Sequence, residues 1–174
     1  LGLLTSDLGL WTSDFGLWTL DFGLWTLDLG PSTPDSPIMR VLFLILDPHH
    51  PATRYRVTQY LEYLTAHGVV PTVEKFPEDY SGWKVLAARR PAPDLAVIQK
   101  KRLNWLVWRL LKHAGWRTIY DVDDAVMYAS SRHRSPFSFI RMLKFKGMAR
   151  RSDAVIAGNA YLKSLAEPLN PNVH

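Results

Sequence analysis

Five short apolar runs, each the length of a strand and none much longer, constrain this chain more than any other feature. They are Arg40-Val-Leu-Phe-Leu-Ile-Leu-Asp47, Val69 to Phe76, Asp94-Leu-Ala-Val-Ile-Gln99, Thr118-Ile-Tyr-Asp-Val122 and Asp153-Ala-Val-Ile-Ala-Gly-Asn159. A continuous apolar run, rather than an alternating one, fits a strand covered on both faces, as in a parallel sheet. Between the runs lie segments of helical period. Val57, Tyr60, Leu61 and Leu64 recur at i, i+3, i+4 and i+7, with Thr53 as the expected cap and Gly68 as the expected stop. Trp83 to Arg90 reads as a short helix ended by Pro91 and Pro93, and Phe137 to Arg151 as a basic helix. Leu103, Leu106, Val107, Leu110, Leu111 and Ala114 form one stripe closed by Gly115. Asn159 is placed to cap a helix from Ala160 to Ala166, with Pro168 following, and Asn172-Val-His174 reads as the start of a further β-α connection. Strand and helix alternating in this way predict an α/β fold, a Rossmann-like doubly wound parallel sheet.

In such sheets, ligands bind at the carboxyl ends of the strands. Three carboxylates, Asp121, Asp123 and Asp124, crowd one of those ends. Like charges a few ångströms apart raise one another's pKa unless a cation, water or donor groups share the site, so a fold tolerates them chiefly at an edge or cleft. Asp123 and Asp124 are the candidate catalytic groups. A plainer role stays open for each, as a helix cap or a solvated loop acid. Arg54 and Arg56 are expected at the amino terminus of the first helix, where their charge opposes the dipole, so that an anionic ligand or a carboxylate of the Asp cluster would relieve the conflict. Gly158 permits a sharp turn or a close approach, and His49 and His50 lie in the loop after the first strand.

Other chemistries lack their signatures. There is no G-x-G-x-x-G, P-loop, nucleophile elbow or H-E-x-x-H, and the absence of cysteine removes zinc ribbons and thiol nucleophiles. It also fits a reducing, cytoplasmic compartment. Residues 1–35 are five heptads such as Phe-Gly-Leu-Trp-Thr-Leu-Asp, with Gly, Thr and Asp at fixed places. Glycine in every heptad and no basic partner argue against a coiled coil. The seven-nucleotide unit TTTGGAC, read three times in frame, encodes this heptad. Residues 1–38 are therefore expected to be a translated tandem repeat without regular structure, with Met39 as the natural start. Peptides from before Met39 in native protein would contradict this.

Residues 1–38 carry five of the 16 acidic residues and no Lys or Arg, so residues 39–174 set all 21 basic residues against the remaining acids, a surplus of ten. That surplus predicts attraction to phosphate-bearing partners. Trp105, Trp108, Arg109 and Lys112 are expected opposite the apolar stripe of their helix, on a face suited to another domain, another subunit or an anionic membrane surface. Nucleic acid is the weaker partner, since spaced Cys/His sites and RNA-recognition aromatics are missing.

Arg54-Tyr-Arg-Val-Thr-Gln59, Asp94-Leu-Ala-Val-Ile-Gln-Lys100, Ile119-Tyr-Asp-Val-Asp-Asp-Ala125 and Ser152-Asp-Ala-Val-Ile-Ala-Gly-Asn-Ala-Tyr-Leu-Lys163 together resemble the amino-terminal half of a GT-B fold glycosyltransferase of the group 1, or family 4, type. The resemblance covers residues 39–174. It implies an acceptor-binding domain, with His49, Arg54, Arg56, Asp121, Gly158 and Asn159 toward the glycosyl acceptor, and a second, carboxyl-terminal domain for the nucleotide-sugar donor that this sequence does not contain. No cofactor or metal is expected within the fragment. Two other readings compete. Asp121-Val-Asp123 could serve as the D-x-D metal clamp of the GT-A fold, or the chain could be a non-catalytic basic module for anionic membrane or nucleic acid.

Overall fold

The structure, a computed structural model, describes residues 38–128 and 138–174, and before them only the backbone of three short strands, Ser13–Asp14, Leu17–Asp21 and Thr26–Asp28, which pair antiparallel. These strands depart from the expectation of a tail without regular structure; the rest of the heptad repeat lies outside the described residues, as do Arg132, His133 and Arg134. Residues 1–37 and 38–173 form separate compact units.

The second unit is built on a sheet of five parallel strands, β1 (Met39–Ile45), β2 (Val69–Lys75), β3 (Leu95–Gln99), β4 (Thr118–Val122) and β5 (Ala154–Ala157), in the order β2-β1-β3-β4-β5. β3 and β4 are buried along their whole length, as their unbroken apolar runs require. β2 is the edge, and its composition shows it: Pro71 is tolerated because an edge strand can spare a donor, and Val70 is exposed. Beyond β5, Val173 makes a parallel bridge to Val155.

The connections are α1 (Pro51–Arg56), a single 3-10 turn at Thr58–Tyr60, α2 (Leu61–Ala66), α3 (Tyr80–Ala88), α4 (Trp105–His113), α5 (Phe139–Arg151) and α6 (Ala160–Ala166). Alternate residues of the sheet face two layers. Leu42 and Leu44 of β1, Ala96 and Ile98 of β3, and Tyr120 and Val122 of β4 share one core with Trp83, Trp108, Leu111, Phe145, Met148 and Leu162 from α3 to α6. The opposite parity, Val41, Phe43, Ile45, Val97 and Ile119, is buried too but stands outside that core, on the side of Val57 and Leu64. This is the doubly wound arrangement that the sequence predicts.

The helices stop and start where side chains allow it. Asp79, Asn104 and Asn159 accept from the third N–H beyond them at 2.8, 2.9 and 2.9 Å, capping α3, α4 and α6. Gly68 and Gly115 end α2 and α4 with φ of 79° at both.

Two expectations are corrected. The long helix capped by Thr53 is broken: Val57 leaves helical geometry at φ −131°, and His50, not Thr53, caps α1 by accepting from Ala52 N at 3.1 Å. In α4 the apolar stripe is rotated. Trp108 is buried with Leu103, Val107 and Leu111, whereas Leu106 is half exposed, because the indole removes more apolar area from water than the leucine would. Lys112 is committed to Asp153 at 2.7 Å and lies over the Trp108 ring. The expected outer face of Trp105, Trp108, Arg109 and Lys112 therefore keeps only Trp105 and Arg109, which stack on each other at 5.4 Å.

Candidate functional site

The loops after β1, β3, β4 and β5 leave the sheet at one rim, and on it the acidic cluster is distributed rather than heaped. Asp121 lies in register with Gln99 on one side and Ile156 on the other, so its carboxylate points toward the layer that carries α1. There Arg56 closes over it: Nε lies 3.0 Å from each carboxylate oxygen, and the second guanidinium nitrogen also donates to Oδ1. Asp121 is 3% exposed. Burial pushes its pKa above the ordinary carboxylate range, while the Arg56 fork pulls the other way. Burial likewise disfavours the Arg56 charge, but Asp121 more than compensates and the guanidinium is held above its usual value.

Strand alternation brings Asp123 back to the same side, one step beyond the sheet. Its partner is Lys100, whose ammonium sits 2.9 Å from Asp123 Oδ1 and 2.8 Å from Asp124 Oδ2. Lys100 is nearly buried, Asp123 is mostly covered and Asp124 is 70% exposed. Burial works against the Lys100 charge, yet hydrogen bonds to Asp124 and Asp123 outweigh it and raise the pKa. The lysine is aimed by its backbone. It sits at φ 56°, among the described residues the one non-glycine with positive φ, with its N–H on Asp121 O at 2.7 Å and the next N–H on Gln99 O at 2.5 Å.

Gly158 brings the β5 loop against the same carboxylates. A Cβ placed there would lie 2.7 Å from Asp123 Cα and 3.0 Å from its Cβ, so no larger residue fits without displacing the Asp123 backbone. Gly158 N donates to Val122 O at 2.8 Å. Thr118–Val122 and the Gly158-Asn159 turn thus open on one edge of one parallel sheet.

Beneath the rim, Thr53 and Gln99 form a buried polar pair. The Thr53 hydroxyl is 2.8 Å from Asp47 O and 3.0 Å from Gln99 Oε1. With one proton to give, it serves one of these oxygens, unless the Gln99 amide is turned to donate to it. On the other face of β4, the Tyr120 hydroxyl is buried without a hydrogen-bond partner among the described residues, and burial pushes that phenol well above its ordinary pKa, with Arg102 opposing.

The remaining candidates fare differently. Arg54 and Arg56 lie in the last turn of α1, not the first, so their charge suits the helix dipole and no bound anion is needed to explain them. Arg56 is consumed by Asp121, while Arg54 is exposed, stacks on Tyr55 at 5.2 Å and has no carboxylate partner among the described residues. Asn159 spends its side-chain oxygen on the α6 cap. His49 is exposed in the β1 loop, its N–H on Asp47 Oδ1 at 3.0 Å. Lys100 and the Thr53–Gln99 pair escape a sequence reading that follows acids. The available signal was a lysine directly after a buried strand whose neighbour carries the aspartates.

Within the cluster itself two cations, Arg56 and Lys100, face three carboxylates, and Asp124 carries the exposed oxygens. The exposed Asp124 carboxylate is able to accept hydrogen bonds from hydroxyl groups. The D-x-D clamp fits poorly, because a guanidinium occupies Asp121 and an ammonium occupies Asp123, where the metal would have to stand. Among the described residues no three His, Cys, Asp or Glu side chains are set to share an ion.

What these elements define is a Rossmann-like α/β domain with a carboxylate-lined, lysine-bridged rim. No family model matches the chain, and no curated protein does. Among solved structures it is similar to an aminotransferase from Mycobacterium tuberculosis, with 14% identity and a TM-score of 0.39 over 68% of this chain. The match spans 30% of that structure's length, and at this distance it says nothing of function.

Proposed function

We propose that residues 39–174 form the acceptor-side half of a nucleotide-sugar-dependent glycosyltransferase of GT-B type, whose donor-binding domain lies outside them. The supporting observation is the rim itself: Asp124, exposed and steadied by Lys100, stands beside Asp123 at the mouth of a doubly wound sheet, with Gly158 packed behind. In this reading Asp124 accepts the hydrogen bond of an acceptor hydroxyl and Lys100 fixes the carboxylate's direction. Positioning of that kind lowers the entropic part of the barrier before a donor arrives. Arg56 and Asp121 set the backbone from below and do not touch substrate.

Acceptor binding by the full chain is measurable without a donor. Saturation-transfer NMR against a panel of neutral glycosides should reveal binding that Asp124→Asn weakens about tenfold, the scale of one charge-assisted hydrogen bond. Unchanged binding in Asp124→Asn and in Lys100→Met would remove the rim from the reading. Binding of nucleotide sugars in preference to glycosides would reverse the assignment of the domain.

A further inference from the structure

The outward face of α5 is the surface for which the rest of the chain has no use. Its inner side is well anchored: Phe145, Met148 and Ala149 are buried, and Arg141 reaches back to Tyr128 O at 2.8 Å. On its outer side Phe139, Ile140 and Leu143 are 63%, 67% and 52% exposed. At 100° per residue these three fall within one outward sector, and Lys144, Lys146, Arg150 and Arg151 border it. None of the four cations has a carboxylate partner among the described residues, and the helix contains no acid. Gly147 contributes to this face by omission, since a Cβ there would lie 2.8 Å from the Arg151 guanidinium, which is laid back along the helix.

We infer that this face seats the domain on an anionic membrane surface, with Phe139, Ile140 and Leu143 in the interfacial layer and the four cations among lipid headgroups. Apolar residues flanked by unpaired Lys and Arg match a layer that is oily below and negative above. A second copy of the chain is a poor occupant, because a two-fold contact would set the same four cations against themselves. Nucleic acid would use the cations and leave the three apolar side chains in water. The helix lies on the surface and does not enter, for no helix among the described residues is long and apolar enough to cross a membrane. At 13 residues α5 is roughly 20 Å long and ends two residues before β5, so its amino end returns to the rim that carries Asp124. The surface is independent of the glycosyl-transfer reading and survives its failure.

Flotation of the full chain with phosphatidylcholine vesicles, with and without phosphatidylglycerol, tests it. Binding is expected only with the anionic lipid and should fall with added salt. The triple variant F139S/I140S/L143S should lose at least about tenfold in partition, and K144Q/K146Q about thirtyfold. Circular dichroism checks that both variants fold; if the triple variant does not, the charge variant decides alone. Equal binding to neutral vesicles, partition indifferent to K144Q/K146Q, or DNA binding that K144Q/K146Q weakens while vesicles are ignored would each overturn the inference.

Discussion

The two rims of the sheet carry the same residue type to different ends. At the amino rim, Asp153 accepts from Thr118 N at 2.7 Å as well as from Lys112, and Asp94 accepts from Arg40 N at 2.7 Å. Each therefore ties one chain segment to another through main-chain N–H groups. At the carboxyl rim, Asp121, Asp123 and Asp124 are ion-paired with side-chain cations, Arg56 and Lys100. A carboxylate locked on backbone is structural by construction. One held by a lysine on a turn can exchange that partner for a ligand group, at the cost of only a side-chain movement.

Breaking this contrast should begin where burial is deepest. Arg56→Met leaves Asp121 enclosed without its hydrogen-bonded guanidinium, with only the more distant Lys100 charge to oppose it, and should cost about 3–5 kcal/mol in chemical denaturation. The deficit should be largest near neutral pH and shrink on acidification, because a buried Asp121 without its guanidinium binds a proton more tightly in the folded than in the unfolded chain. Gly158→Ala comes next, at about 1–3 kcal/mol, since the Asp123 backbone must yield to the added methyl. Glycoside binding should fall with it if the rim is the acceptor site.

Asp153→Asn should cost about 1–2 kcal/mol at neutral pH, a modest loss because its carboxylate is partly open to solvent and screened. Burial opposes the Asp153 charge, but Lys112 and the Thr118 N–H outweigh it and hold its pKa below the ordinary 3.8. Its stabilisation is therefore complete above that ordinary value and lost as pH falls through the lower folded one, so an acid titration of stability should flatten in the variant. Asp124→Asn is the smallest effect, within about 0.5 kcal/mol, because the group is exposed and Lys100 keeps Asp123. A large loss of stability in Asp124→Asn would erase the distinction between the two rims.

How much of this was legible depended on how local the determinant was. The five strands followed from short, largely apolar runs, because burial on both faces leaves few positions for polar residues, Gln99 and Asp121 among them, and α6 followed from Asn159 at its cap. The phase of α4 did not follow, since Leu106 and Trp108 compete for the core and only the shape of the opposing layer decides between them. Nor did the break at Val57, which separates two short helices that a period of 3.6 joins into one. The aspartates stood out on the page because they are adjacent, whereas their cations are 65 and 24 residues away in the chain, Arg56 from Asp121 and Lys100 from Asp124. A carboxylate of the cluster was one of the two partners expected for Arg54 and Arg56, but which arginine meets which acid, and the part of Lys100, are set by register, through Gln99 opposite Asp121, and register is a property of the folded sheet.

Replacing Lys100 by glycine would relax a left-handed main chain by about 1 kcal/mol while deleting the one ammonium that two acids share. The gain and the loss oppose each other, so a melting-temperature screen could pass this position as silent. A probe that reads the carboxylates directly, such as carbon-13 chemical shifts of Asp123 and Asp124 followed against pH, would register that the rim had lost its keystone.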